Sequence, residues 1–195
     1  HRKARGQISE FYLYCHKQGE CVVKHKVVTT LSPSGVQQMI DSVREYREWI
    51  KSGCARLLER LTQEGYEVAS AGFASAEYDG TNDVTVSVED RGKIKAVVAV
   101  GGTVLFIEFG TGVTYPDNHP EARDLGMERG EYGQGRGKQS TWGYYGEPGT
   151  NGTVVGEREK GTLVLTHGNP ANMPMYNAVK ELELRLGEIV KEVFG

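Results

Sequence analysis

The stretch Asp79-Gly80-Thr81-Asn82-Asp83-Val84-Thr85-Val86-Ser87-Val88-Glu89-Asp90-Arg91-Gly92-Lys93-Ile94-Lys95-Ala96-Val97-Val98-Ala99-Val100 decides the fold class. Its first five residues are turn formers. Val84, Val86 and Val88 then alternate with Thr85, Ser87 and Glu89, the two-residue period of a strand with one buried face. Asp90 to Lys93 can turn the chain back along Lys95 to Val100, so the first sheet is expected to be antiparallel. Gly101-Gly102 ends the pattern.

Upstream the period changes. Ser32-Pro33 offers a Ser cap with Pro at the first helical position, and Ser34/Gln37 offers a capping box instead; either starts a helix. Apolar residues follow at Val36, Ile40, Val43, Tyr46, Ile50, Leu57, Leu61 and Val68, mostly three or four apart, the stripe of a long amphipathic helix with a bend expected near Ser52-Gly53. Glu45, Glu48, Arg56, Glu59 and Arg60 read as its solvated side. Cys54, beside the seam, reads as a small buried hydrophobe.

Downstream, Thr103 to Gly110 (Thr-Val-Leu-Phe-Ile-Glu-Phe-Gly) is too short for periodicity to separate a buried strand from a helical turn. Residues 112 to 161 then form a tract in which glycine is heavily used, ten of the 26 glycines lying between Gly126 and Gly156. A long loop or projecting β-arm is expected there. Trp142, Tyr144 and Tyr145 can pair as a strand with Thr162 to Thr166, leaving Gly146 to Gly161 as connection. A closing amphipathic helix is expected from Tyr176, Val179, Leu182, Leu186, Ile189, Val190 and Val193, with Asn172 as its cap. The fold class is therefore α+β: a long N-terminal helix, antiparallel sheet, a glycine-rich arm and a C-terminal helix.

Composition bounds the function. The 195 residues are 38% hydrophobic and 25% charged, as in ordinary globular proteins, and a chain of this size hides about 70% of its extended surface. No apolar run approaches the roughly 18 to 20 residues of a membrane span. Net charge is -3, which argues against a dedicated duplex-DNA binder. Residues 1 to 30 carry six Lys/Arg against two Asp/Glu, so the remainder is acidic. Residues 1 to 33 read as a basic leader, a poorly ordered extension or arm, before one domain at 34 to 195. Three cysteines, Cys15, Cys21 and Cys54, suggest a reducing compartment. Cys15, His16, Cys21 and His25 are zinc-competent but lack the usual chelate spacing.

Catalytic motifs are weak. Gly130-Glu131-Tyr132-Gly133-Gln134-Gly135-Arg136-Gly137-Lys138 invites a phosphate-loop reading, but Tyr132 and Gln139 stand where that loop needs Gly and Ser/Thr. Asp117-Asn118-His119 and His167 could offer metal ligands without diagnostic spacing. No GxSxG elbow exists, and Asn151-Gly152-Thr153 reads as a glycine turn. Neither a cofactor nor catalytic activity is expected.

Four segments together resemble the tail-completion, or head-to-tail joining, proteins of long-tailed bacteriophages. They are Tyr78 to Val88, Val104-Leu105-Phe106-Ile107-Glu108-Phe109-Gly110-Thr111-Gly112, His119-Pro120-Glu121-Ala122, and Gly168-Asn169-Pro170-Ala171-Asn172-Met173-Pro174-Met175-Tyr176-Asn177-Ala178. The resemblance covers residues 34 to 194. It implies a short central helix at 103 to 109 and a non-enzymatic virion protein of the neck, made in the host bacterial cytoplasm. Such proteins form a homo-oligomeric ring, a hexamer by family expectation, between the head-tail connector or stopper and the tail terminator or tail tube, with DNA passing through the lumen. Glu108, Phe109, Gly110 and Thr111 are then expected at the hinge between core and arm, and Trp142, Tyr144, Tyr145, Pro170, Met173, Met175 and Tyr176 at subunit contacts. The alternatives are a tail terminator capping the tube, or a nucleotide- or metal-binding effector using the glycine loop, His119 and His167.

Overall fold

The computed structural model describes residues 8–17, 20–30, 32–128, 130–133 and 138–195. In chain order the elements are β1 (Ile8–Lys17), β2 (Glu20–Thr30), α1 (Pro33–Ala74), β3 (Thr85–Asp90), β4 (Lys95–Val100), α2 (Val104–Phe109), β5 (Trp142–Tyr145), β6 (Thr153–Arg158), β7 (Gly161–Thr166) and α3 (Pro174–Phe194). The architecture is α+β, with every strand pairing antiparallel. Among the described residues no helix is long and apolar enough to cross a membrane.

The chain divides into two compact units, where the sequence reading expects one domain after the leader: residues up to Leu58 with Gly187–Gly195, and Glu59–Leu186. The physical reason is the length of α1. Its 42 residues extend about 60 Å at 1.5 Å per residue, more than one small core covers.

In the first unit, β1 and β2 form a hairpin, structure that the reading of residues 1 to 33 as a leader did not expect. Both segments are rich in the β-branched and aromatic residues that suit strands, as in Phe11-Tyr12-Leu13-Tyr14 and Val27-Val28-Thr29-Thr30. The zinc-competent side chains of Cys15, His16, Cys21 and His25 lie outside what is described. The Thr29 hydroxyl donates to the Gly35 carbonyl at 2.8 Å, tying β2 to the first turn of α1. That turn uses the Ser32 cap: the Gly35 N–H donates to Ser32 Oγ at 3.1 Å, with Pro33 as first helical residue. Further along, Trp49 stacks on Tyr46 and meets the edge of Phe194, and Arg56 donates to the Val193 carbonyl at 3.1 Å. Gly53 is buried against Phe194, while Cys54, on the next helical face, is exposed, contrary to its reading as a buried hydrophobe.

In the second unit, Ala69 and Phe73 of α1, Ile107 of α2, Val164 of β7 and Ala178 of α3 form a core, each 4% exposed or less. Gly65 of α1 faces Leu182 of α3 and Val97 of β4. β3 and β4 pair from Thr85↔Val100 to Asp90↔Lys95, as the valine alternation predicts. The segment left open on physical grounds is helical, α2. β5 pairs with β7 from Trp142↔Thr166 to Tyr145↔Leu163, as expected. The connection between them is not loop alone: β6 occupies the other edge of β7, giving the order β5-β7-β6. Thr153-Val154-Val155 supplies strand-forming residues, and a bulge between Val154 and Gly156 absorbs the register shift.

Ser32→Ala removes the side chain that caps the first turn of α1, at a cost of about 1 kcal/mol. Urea denaturation followed by hydrogen exchange should show that loss, with faster exchange confined to the amides of that turn.

Candidate functional site

The turn before β3 organises the second unit through three polar side chains. Asp79 is buried; its Oδ1 accepts the Asn151 N–H at 2.8 Å and its Oδ2 accepts the Thr166 hydroxyl at 2.5 Å. Its own N–H donates to Asn169 Oδ1 at 2.6 Å. Asn82 Nδ2 donates at 2.8 Å to the Phe73 carbonyl near the end of α1, one of the acceptors a helix end leaves without an internal partner. Asp83 accepts the N–H groups of Gly102 and Thr103 and the Thr103 hydroxyl at 2.6 Å, where α2 begins. The Thr103 hydroxyl, followed by the Gly102 amide, holds the Asp83 carboxyl below the usual Asp range.

Glu108, on α2, does the corresponding work for α3. Its Oε2 accepts the Met175 N–H at 2.9 Å and its Oε1 the Tyr176 N–H at 2.9 Å. These are the second and third residues of α3, after Pro174, which has no N–H to satisfy. His119 is buried, and its Nδ1 accepts the Glu121 N–H at 3.2 Å, so the proton sits on Nε2 and faces Glu108 Oε1 at 3.3 Å. The ring also packs on Phe109 at 4.3 Å and on Tyr176 at 5.3 Å between centroids. A Glu–His pair so enclosed is a strut.

Asn172 does not cap α3, as the sequence suggests. Its side chain clasps the Glu77 backbone, accepting from N–H at 2.9 Å and donating to C=O at 3.0 Å. Met173 precedes the helix in a left-handed conformation, φ 55°, and Glu108 caps from a different helix. Thr111 and Asn169 form a reciprocal backbone bridge at 2.8 and 3.0 Å. Gly110 makes the close approach possible: with φ 78°, a Cβ there would lie 2.7 Å from the Ala171 nitrogen.

Beside this lattice lies a cleft of about 440 Å³, lined by Tyr78, Phe106, Phe109, Tyr115, Tyr132, Trp142, Tyr144 and Tyr145 together with Asp79, Asp117 and Glu147. The Tyr132 hydroxyl donates to the Gly110 carbonyl, and its ring stacks on Phe106 at 6.0 Å. The Tyr144 hydroxyl donates to the Glu147 carbonyl at 2.7 Å. Partial burial, followed by the charge of Asp79, pushes the Tyr144 phenol up to about 12. Tyr78 is shifted the same way, mainly by burial, then by Asp83 and Asp79.

The expected hinge residues thus gather at one place, but Glu108 and Gly110 are buried within the chain. Trp142 and Tyr144 line the cleft half-buried, and Tyr145 is 48% exposed. Pro170, Met173, Met175 and Tyr176 are half-buried around the start of α3. Within the glycine loop, Gln134 to Gly137 lie outside the described residues. His167 is exposed, its Nδ1 2.9 Å from the Thr141 hydroxyl and 3.1 Å from the Ser140 carbonyl. Among the described residues no three His, Cys, Asp or Glu side chains are grouped to hold a metal. Asp79, Asn82, Asp83 and Asn169 are lattice members that sequence reasoning did not single out; their signal was membership of two turn-rich segments that also carry the phage resemblance.

Two consequences are measurable. A folded-state pKa below the unfolded one contributes stability at pH values above the unfolded pKa, and that contribution is lost as pH falls through the folded pKa. Asp83→Asn should therefore flatten the acid limb of a denaturation series at pH values below the ordinary Asp pKa, leaving its slope near neutrality unchanged. Glu108→Ala leaves two helix N-terminal amides without their acceptor and should cost about 3 kcal/mol, with Glu108→Gln intermediate because the amide keeps one acceptor oxygen. Urea midpoints check the order.

The chain has no significant match among family models, curated proteins or solved structures.

Proposed function

We propose that this chain is a structural protein of a phage neck, a tail-completion subunit that works by assembling with copies of itself into a ring between the connector and the tail tube. The observation that carries the reading is the apolar stripe of α1. Val36, Ile40, Val43 and Ile50 are 40%, 39%, 44% and 38% exposed, although their spacing is that of a helix built to bury one face. Helices draw most of their stability from packing such a face, so a stripe this long left open calls for a partner surface.

Three further features support it. Tyr145, Val155 and Leu165 are 48%, 49% and 39% exposed in the β5-β7-β6 sheet, a second apolar area suited to subunit contact. The polar residues of the four phage-like segments are spent on capping helices and closing loops, which suits a building block whose function lies in its surfaces. The acidic body, 17 basic against 24 acidic residues from 31 to 195, disfavours adhesion of DNA moving through a lumen.

Mass photometry with negative-stain imaging of the purified chain should show closed rings, six-fold by the family expectation, and Val43→Glu should disperse them without loss of helical content. A monomer at tens of micromolar, unchanged by that substitution, contradicts the reading. In a phage lacking the gene, full heads and finished tails should accumulate unjoined; tails of uncontrolled length would indicate a terminator instead.

A further inference from the structure

We propose that the aromatic cleft beside α2 and β5 is a recognition site for an organic cation, a guanidinium or alkylammonium group of about the size of an arginine side chain. This inference does not depend on the virion reading, since the cleft lies within one chain whether or not rings form.

The composition of the walls carries the argument. Eight of the 24 residues lining the cleft are aromatic, and all three charged ones, Asp79, Asp117 and Glu147, are acidic. No Lys, Arg or His lines it among the described residues. Aromatic faces attract cations through their quadrupole, and do so more strongly where water is partly excluded. Trp142, Tyr144 and Tyr115 are half-buried, so each is held by the fold while keeping surface toward the cavity.

The acids divide the work. Asp79 has both oxygens engaged, by Asn151 and Thr166, and contributes only its field. Asp117 and Glu147 are exposed and have no Lys or Arg partner among the described residues, so they can pair with an incoming cation directly. A cavity of about 440 Å³ lies within the range of small-ligand sites and exceeds what a bare metal ion needs. An anionic ligand would face three carboxyl groups with no Lys, Arg or His among the described lining residues.

Trp142 provides the probe. In a Trp49→Phe background it is the sole tryptophan, and its fluorescence can be titrated with arginine amide, tetramethylammonium, citrulline amide and a Gly-Arg-Gly peptide amide. Arginine amide should produce a saturable change with a dissociation constant on the order of 1 mM, and the neutral isostere citrulline amide should bind at least tenfold more weakly. The double variant Asp117→Asn, Glu147→Gln should weaken arginine amide about tenfold, leave citrulline amide unchanged and leave the unfolding midpoint in place, because both side chains are exposed. Tighter binding of the peptide than of free arginine amide assigns the cation to a polypeptide side chain; equal binding assigns it to a free small molecule. Equal response to arginine and citrulline amides, or no saturable change with any cation, overturns the proposal.

Discussion

The Glu108 carboxylate, held on a helix of six residues, takes the first free amides of α3 and so joins two helices that are 67 positions apart at that contact. A helix as short as α2 has no independent stability, because its nucleation cost exceeds what one turn returns. It persists because both ends are bonded elsewhere. Asp83 holds the amides at its start, and Glu108 and the backbone carbonyls of Ile107 and Glu108 bond the segment leading into α3. The positive end of the α3 dipole adds to the favourable placement of a negative group there. Remove the contact and the Thr111–Asn169 bridge loses the anchor that sets its register.

Asp79 extends the same logic to the three-stranded sheet. Through Thr166 it grips the end of β7, and through Asn151 the approach to β6. Asn169 links it to the bridge, while Asn172 ties the Glu77 backbone to the entry of α3. Helix ends, loops and sheet are thus joined by side-chain to backbone bonds across a core of few large buried hydrophobes. For a unit organised in this way, polar substitutions in the lattice should be as damaging as core truncations.

Much of the fold was legible where the signal is local. Ser32-Pro33 marks the start of α1 through its own hydroxyl and ring, and the valine alternation at 84 to 88 describes a strand whatever its partner. The missing pieces are non-local. Glu108 reads as one acid in an apolar run, and nothing periodic tells that its acceptors serve residues 175 and 176. Asn172 stands where a helix cap belongs, yet its side chain is taken by Glu77, 95 positions away. β6 was hidden by glycine-rich flanks, and the α1 stripe was visible without any indication of which part would be covered. Of the site, the hinge segment was legible as a motif, whereas the acidic, aromatic character of the cleft emerges only when five separate stretches converge.

Amide hydrogen exchange at Met175 and Tyr176 tests the central interaction most directly. If Glu108 holds the start of α3, both amides should exchange only through global unfolding, with protection equal to that of amides in the middle of the helix. Exchange of these two positions at rates of a frayed helix end, while the rest of α3 stays protected, would contradict the account.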